Sequence, residues 1–382
     1  MKSLAILGST GSIGRQTLDV VRGLRGRFRV LGLAAGRNRT LLEDQVREFL
    51  PALVWSDGEN DYDYLRAALG PVTPQWATME EMSVHPEVDI VLVATTGKAG
   101  LFPTLAALRA GKVVALANKE VLVMAGHVIT AAARQGGGEL RPIDSEHSAI
   151  WQCLWGEEPT SVARLILTAS GGAFRDKTLE ELRRVTPEEA LRHPTWQMGR
   201  KVTVDSATLL NKGLEAIEAR WLFGVPFGRI EVVMHRQSIV HSLVEFSDGS
   251  IKAQLGMPDM RLPIQCALAY PERLPCPSVP RLDLVQVGLL EFALPDLKRF
   301  PCLKLALEAG SRGATYPAVL AAADEVAVEQ FLAGRTGFMD IASVLDGALG
   351  AHRPSSDESL DAVLEADQWA RAWAEDWVKA KA

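Results

Sequence analysis

Leu4-Ala5-Ile6-Leu7-Gly8-Ser9-Thr10-Gly11-Ser12-Ile13-Gly14 opens the chain and decides how the rest is read. Its first four residues form a short apolar run ended by glycine, as a buried strand does. The following run, Ile13 to Leu24, puts Ile13, Thr17, Val20, Val21 and Leu24 on one helical side, a face suited to covering a sheet. Between strand and helix, Gly8, Gly11 and Gly14 let the backbone turn sharply and approach a pyrophosphate, whose charge the free amides of the helix N-terminus meet. Such spacing occurs in many turns. Its position at a strand-to-helix junction makes it a dinucleotide signal.

The same alternation of short apolar runs with amphipathic ones continues to about residue 145. Further strands are expected at Arg29 to Ala35, Ala52 to Trp55, Asp89 to Ala94 and Lys112 to Ala117, giving an α/β, doubly wound, Rossmann-like domain over 1–144. The second strand runs into Ala34-Ala35-Gly36-Arg37-Asn38-Arg39, without the acid that bonds the ribose 2′-hydroxyl of NAD. Arginine there suits a 2′-phosphate, so NADP is favoured. For Arg39 a solvated basic turn is an equally good account.

Beyond Asp144 the rhythm changes. Arg164 to Ala169, Ile230 to Met234, Ile239 to Phe246 and Ser250 to Leu255 suggest a largely antiparallel sheet, and hence a central α+β catalytic domain over 145–269. Pro271, Pro275, Pro277 and Pro280 open a linker over 270–295. A C-terminal helical domain, 296–382, is expected from Cys302 to Ala309, Pro317 to Leu332 and Ser359 to Lys379. Trp369, Trp373 and Trp377 read as a stripe packed on the body.

Across its 382 residues the chain carries 41 Lys and Arg against 47 Asp and Glu, a net charge of −6, which argues against nucleic acid as the main partner. Its 47% hydrophobic and 23% charged composition is that of a globular protein with real cores. No apolar run approaches the roughly 20 residues needed to span a bilayer. Four scattered cysteines suggest a reducing compartment. A soluble, cytoplasmic protein is expected, with no membrane partner.

Two acidic and polar constellations bear on chemistry. In an extended Asp144-Ser145-Glu146-His147, the two carboxylates point to the same side. Such a pair repels unless a cation intervenes, and hard oxygen ligands favour Mg²⁺ or Mn²⁺ over zinc. Alone, the pair is equally a solvated turn. In Asp205-Ser206-Ala207-Thr208-Leu209-Leu210-Asn211-Lys212-Gly213-Leu214-Glu215, a helix places Asn211, Lys212 and Glu215 on one side. Ser206, Asn211 and Lys212 form a hydroxyl, amide and ammonium set that suits a phosphate, and Glu215 offers a third carboxylate. Ser170-Gly171-Gly172 reads as an anion cradle or a plain turn. His193-Pro194-Thr195-Trp196, in the stretch 186–201, reads as a mobile lid or an aromatic anchor on a static loop.

Taken with Leu116-Ala117-Asn118-Lys119-Glu120, Met198-Gly199-Arg200-Lys201 and Gly256 to Arg261, these segments closely resemble the 1-deoxy-D-xylulose 5-phosphate reductoisomerases, in the family's order and over nearly the whole length. The resemblance implies a homodimeric enzyme that uses NADPH and Mg²⁺, Mn²⁺ or Co²⁺ to isomerise and reduce 1-deoxy-D-xylulose 5-phosphate, a phosphorylated sugar, to 2-C-methyl-D-erythritol 4-phosphate. By position it makes Asp144, Glu146 and Glu215 the metal ligands and Ser170, Ser206, Asn211 and Lys212 the phosphate pocket. Lys119 and Ser145 meet the substrate's oxygenated carbons, and His193 and Trp196 close over it. Lys119, Asp144, Glu146, His193 and Glu215 are the implied catalytic set. Contacts to NADPH fall to Thr10, Gly11, Ser12, Ile13, Gly36, Arg37, Asn38, Asn118, Glu120, Gly199 and Met260. Departures from the commoner pattern, at Val93 to Gly100, Ala173 and Arg236, touch none of these ligands.

Two rival readings explain less. Another two-domain NADP-dependent dehydrogenase, without rearrangement, accounts for the first 120 residues but leaves the acids and the phosphate set idle. A non-catalytic NADP-sensing protein requires the carboxylates to be dispensable.

Overall fold

The structure, a computed structural model, describes residues 1–58, 60–354 and 358–381. Contacts gather the chain into two compact units. Met1–Val121, Ile129–Ser148 and Asp259–Pro280 form the first, and Leu122–Val128, Ala149–Pro258 and Arg281–Ala382 the second. This division differs from the expected cuts at 144 and 269.

The first unit is built on seven strands: β1 (Lys2–Leu7), β2 (Phe28–Ala35), β3 (Leu53–Ser56), β4 (Gln75–Trp76), β5 (Ile90–Val93), β6 (Val113–Leu116) and β7 (Glu139–Pro142). They lie in the order β4-β3-β2-β1-β5-β6-β7, every pair parallel. Leu4, Ala5, Ile6 and Leu7 are all fully buried, as befits a central strand covered on both faces. Burying each large aliphatic side chain contributes roughly 1.5–3 kcal/mol. Strand order reverses direction between β1 and β5, so the loop after β1 opens at the switch point where doubly wound sheets bind ligands.

β4 and β7 have no counterpart among the expected strands. β4 is two residues long, and Glu139 and Arg141 interrupt the apolar run in β7. Arg141 is nonetheless buried, paired with Glu139 and donating to the Ala267 carbonyl at 3.0 Å. That carbonyl belongs to the helix Arg261–Ala269, whose Ile264, Ala267 and Leu268 share one core with Leu4 and Ile6. The end of the expected central domain therefore packs with the nucleotide sheet.

The second unit holds β8 (Val162–Ala169), β9 (Ile230–Met234), β10 (Val240–Phe246) and β11 (Ile251–Leu255) in the order β11-β10-β8-β9. β10 is antiparallel to β8 and β11, while β9 runs parallel to β8. The helices Arg200–Thr208 and Leu210–Phe223 share one large core with the C-terminal helices Pro301–Arg312, Tyr316–Leu332, Phe338–Ala351 and Leu360–Lys381. Gly213 shows how closely they meet: a Cβ there would lie 2.2 Å from the Cβ of Ala306. Phe338–Ala351 was not expected, since Gly347 and Gly350 dilute its helix propensity. Gly347 instead makes room for Trp373. Trp373 and Trp377 pack on the core, whereas Trp369 lies half-exposed beside His352. Among the described residues no helix is long and apolar enough to cross a membrane.

Candidate active site

In the first unit the nucleotide loop is fixed by steric necessity. Gly8 has φ +92°, and a Cβ there would lie 2.4 Å from the carbonyl oxygen of Ala94, which follows β5. A Cβ on Gly14 would lie 2.3 Å from the Gly8 carbonyl oxygen, so helix Ser12–Gly23 starts against the loop itself. Gly11 precedes that helix with no side-chain cap, which leaves the first-turn amides of Ser12 and Ile13 available to an anion. The Ile13 side chain packs on the core, and Thr10 and Ser12 are half-buried at the mouth of the loop.

At the end of β2 the Gly36 carbonyl accepts from Ser56 Oγ at 2.9 Å, and Arg37 is exposed. Asn38 caps helix Arg39–Phe49 by accepting from Leu41 N–H at 3.2 Å. Arg39 stacks over the Tyr64 ring at 4.5 Å and lies 3.5 Å from Asp61, an attachment that accounts for it without a nucleotide. Asn118, buried, caps helix Lys119–Gly136 and donates to Thr95 Oγ1 (3.1 Å) and the Gly97 carbonyl (2.9 Å). Met260 packs on the core of this unit. Glu120 is buried.

The acidic segment corrects the extended reading. Asp144 is followed at once by helix Ser145–Cys153, so Asp144 and Glu146 sit at a helix start. Aspartate as a cap and glutamate in the first turn are both favoured there, and that local signal outweighs strand alternation. Ser145 N–H donates to Asp144 Oδ1 at 3.0 Å, and Ser145 Oγ to Glu146 Oε2 at 2.6 Å. Lys119 Nζ, nearly buried, lies 2.5 Å from Asp144 Oδ2. His147 is fully buried with Nδ1 4.0 Å from that same oxygen, too far for a hydrogen bond.

The second unit assembles the polar set. Helix Leu210–Phe223 carries Asn211, Lys212 and Glu215 on one side: Asn211 Nδ2 donates to Glu215 Oε1 at 2.5 Å, and the Lys212 ammonium meets Oε2. Lys212 and Glu215 are both buried. After β8, Gly171 and Gly172 take φ +90° and +64°, and a Cβ on Gly172 would lie 2.4 Å from the Ser206 carbonyl oxygen. Ser170 and Ser206 are thus held close, one in the loop and one near the end of helix Arg200–Thr208.

Ser170 Oγ lies 3.1 Å from His193 Nε2. His193 Nδ1 accepts from the N–H groups of Thr195 (3.1 Å) and Trp196 (2.9 Å), which places the ring proton on Nε2. Accepting from Nε2–H, Ser170 keeps its own hydroxyl proton to donate. Burial, reinforced by the charge of Arg175, lowers the His193 pKa to about 4. Trp196 faces His241, ring centroids 6.1 Å apart, and burial lowers His241 to about 4 as well. His235 is a satisfied interior histidine: Nδ1 lies 2.9 Å from the Glu291 carbonyl, and Nε2 accepts from Ile239 and Val240 N–H. A Cβ on Gly199, which caps helix Arg200–Thr208, would meet nothing within 4 Å.

Because the His193 pKa falls from 6.5 to about 4, the loop's stability from neutral His193 is complete above about pH 6.5 and is lost as pH falls toward 4. NMR titration should show the His193 ring neutral down to about pH 5. A midpoint near 6.5 would contradict the buried placement.

Arg175 and Asp324 received no role from sequence. Arg175 donates to the Ser170 carbonyl at 3.2 Å, and its signal was an arginine directly behind a Gly-Gly loop. Asp324 was marked only by being a charge inside an apolar helix.

Family models match along the chain: 1-deoxy-D-xylulose 5-phosphate reductoisomerase over residues 4–126, its C-terminal domain over 140–223, and DXP reductoisomerase C-terminal domain over 255–373. The 1-deoxy-D-xylulose 5-phosphate reductoisomerase of Pelotomaculum thermopropionicum is 54% identical over 376 residues, covering 97% of both chains. That of Geobacillus kaustophilus is 53% identical, covering 98% of each. A crystal structure of DOX-P reductoisomerase with NADPH, fosmidomycin and magnesium matches with TM-score 0.94 and 41% identity over 99% of this chain and 98% of that one. The Zymomonas mobilis enzyme with NADPH matches with TM-score 0.92 and 42% identity over 99% of each. The chain belongs to the 1-deoxy-D-xylulose 5-phosphate reductoisomerase family.

Proposed function

We propose that the chain converts 1-deoxy-D-xylulose 5-phosphate to 2-C-methyl-D-erythritol 4-phosphate with NADPH and a divalent metal, in non-mevalonate isoprenoid biosynthesis. The observation that carries this reading is the Asn211, Lys212 and Glu215 set, with Lys212 and Glu215 buried, in a chain more than half identical to reductoisomerases over nearly its full length. Neither rival reading gives that set a task.

The donor chemistry fits the metal. Asp144, Glu146 and Glu215 are hard oxygen ligands, each already compensated within its own unit by Lys119, Ser145 or Lys212. A divalent cation held by these three would polarise the substrate's carbonyl and neighbouring hydroxyl oxygens. NADPH, seated on the Gly8 to Gly14 loop with Gly36, Arg37 and Asn38 at its 2′-phosphate and Asn118, Glu120, Gly199 and Met260 along its length, would supply a hydride.

The chain's own residues bind and orient. Lys212, Asn211, Ser206 and Ser170 hold the phosphate, contributing remote binding energy that fixes the carbon skeleton. Lys119 and Ser145 reach the oxygenated carbons. Neutral His193, through Nε2–H, keeps Ser170 aimed as a donor, and Trp196 excludes water when the 186–201 segment closes.

Mg²⁺, Mn²⁺ and Co²⁺ all suit three carboxylates, and we infer that each supports turnover. A homodimer is supported by the exposed apolar side chains of Leu284, Val285, Leu289 and Leu294, Val285 being 91% exposed. The small number of cysteines, four scattered over 382 residues, supports a cytoplasmic location. The deciding experiment follows NADPH absorbance with 1-deoxy-D-xylulose 5-phosphate, with and without chelator. Chelator-sensitive oxidation, absent with homoserine, is expected; no turnover with added metal refutes the reading.

A further inference from the structure

We propose that Asp324, acting through Lys201 and Asp205, is a positioning residue for the phosphate pocket and for the C-terminal end of the lid segment. The inference rests on the reading of Ser170 and Ser206 as phosphate ligands. Lys201 stands in the first turn of helix Arg200–Thr208, at the end of the 186–201 segment. Its ammonium lies 2.8 Å from Asp205 Oδ2, one turn along the helix, and 2.6 Å from Asp324 Oδ2 on helix Tyr316–Leu332.

Asp324 is fully buried on a helix whose Val319, Leu320, Ala322, Ala323 and Val328 are core residues. A carboxyl group in such a place is costly unless it is compensated, and removing it from a core helix leaves an apolar alternative close at hand. The cluster brings one ammonium to two buried carboxyls. Burial, then the charge of Asp205, push the Asp324 pKa well above the usual carboxyl range, against the pull of Lys201. The other ionisable groups facing it are Glu325 on its own helix and the buried thiol of Cys302 on Pro301–Arg312.

The path to the pocket is short. Asp205 is the residue before Ser206, and the Ser206 carbonyl packs against Gly172 so closely that a Cβ would lie 2.4 Å away. Ser170, two residues back in that loop, is bonded to His193. Shifting the turn at Asp205 therefore displaces Ser206 and Ser170 together, and freeing Lys201 loosens the segment that carries His193 and Trp196.

Asp324→Leu keeps the branched shape of the side chain, with somewhat larger bulk, and removes the polar contact. We expect KM for 1-deoxy-D-xylulose 5-phosphate to rise about tenfold, with kcat and KM for NADPH within about twofold of wild type. Asp324→Asn, whose amide oxygen can still accept from Lys201, should restore KM to within about twofold. Calorimetric binding of inorganic phosphate reads the same pocket without turnover and should weaken and recover in parallel. Unchanged KM and phosphate affinity in the leucine variant, even with a lowered Tm, overturn the proposal, as does an asparagine variant as impaired as the leucine one. Asp324→Ser replaces the leucine variant should that fail to fold. Wild-type chain that binds phosphate in an Asp324-dependent way but turns over no substrate would refute the functional reading while leaving the positioning role standing.

Discussion

Glu215→Gln is expected to reduce turnover more than about 100-fold while leaving NADPH affinity unchanged. Losing a partner of a metal ligand typically costs about 10–100-fold in affinity or activity, and losing the ligand's own charge costs more. Glutamine is nearly isosteric: its one amide oxygen can accept from Lys212 while its NH2 group donates to a flipped Asn211 amide, so helix Leu210–Phe223 should keep its place. What disappears is the negative charge that a divalent cation requires. The nucleotide loop belongs to the other unit and to other elements, so fluorescence titration with NADPH should give the wild-type Kd. Calorimetric titration with Mn²⁺ should show weakened binding, and urea denaturation checks that the variant is folded. Turnover near wild type, or NADPH binding lost along with turnover, would remove Glu215 from the metal site.

The legible parts of this molecule are those whose signal is local. Leu4 to Leu7 reads as a buried strand because four neighbouring side chains share one environment, and Gly8, Gly11 and Gly14 carry their meaning in their spacing. Asn211 and Glu215 could be placed together because a helix puts residues four apart on one side. Glu139 and Arg141 hide a strand, because the charge of Arg141 is buried between the exposed Glu139 carboxylate and the Ala267 carbonyl, a partner 126 residues away. The helix Arg261–Ala269 follows the second unit in sequence yet packs on the first unit's sheet, and nothing in its composition says so. The helix start at Asp144 and Glu146 is not legible locally, since two acids fit strand alternation and a helix start equally until the neighbours of Ser145 are known. The pairing of Ser170 with His193 spans 23 residues, and the tautomer that makes Ser170 a donor depends on two backbone amides. Asp324 is the extreme case: its chemistry comes from its burial and from Lys201 and Asp205, on a helix more than a hundred residues earlier.

Gly14→Ala should raise the NADPH Kd at least about 100-fold, equivalent to about 2.8 kcal/mol. The new Cβ would lie 2.3 Å from the Gly8 carbonyl oxygen, 2.5 Å from Ser9 Cα and 2.6 Å from the Ser9 carbonyl oxygen. All three are backbone atoms, so no rotamer change relieves the clash and the loop itself must move. Gly8 cannot retreat: it holds φ +92° and already stands against the Ala94 carbonyl, where its own Cβ would come within 2.4 Å. Displacement of Gly8 and Ser9 therefore disturbs the loop where the backbone must approach a pyrophosphate, and it spoils the aim of the Ser12 and Ile13 amides. Overpacking of this kind also costs about 1–3 kcal/mol of stability. Gly23→Ala, at the far end of the same helix, is the control. A Cβ there meets nothing within 4 Å, so the same chemical change should leave NADPH binding untouched and stabilise the fold by about 0.4–1 kcal/mol. Equal NADPH affinity in the two variants would show that the loop does not approach the cofactor as this geometry requires.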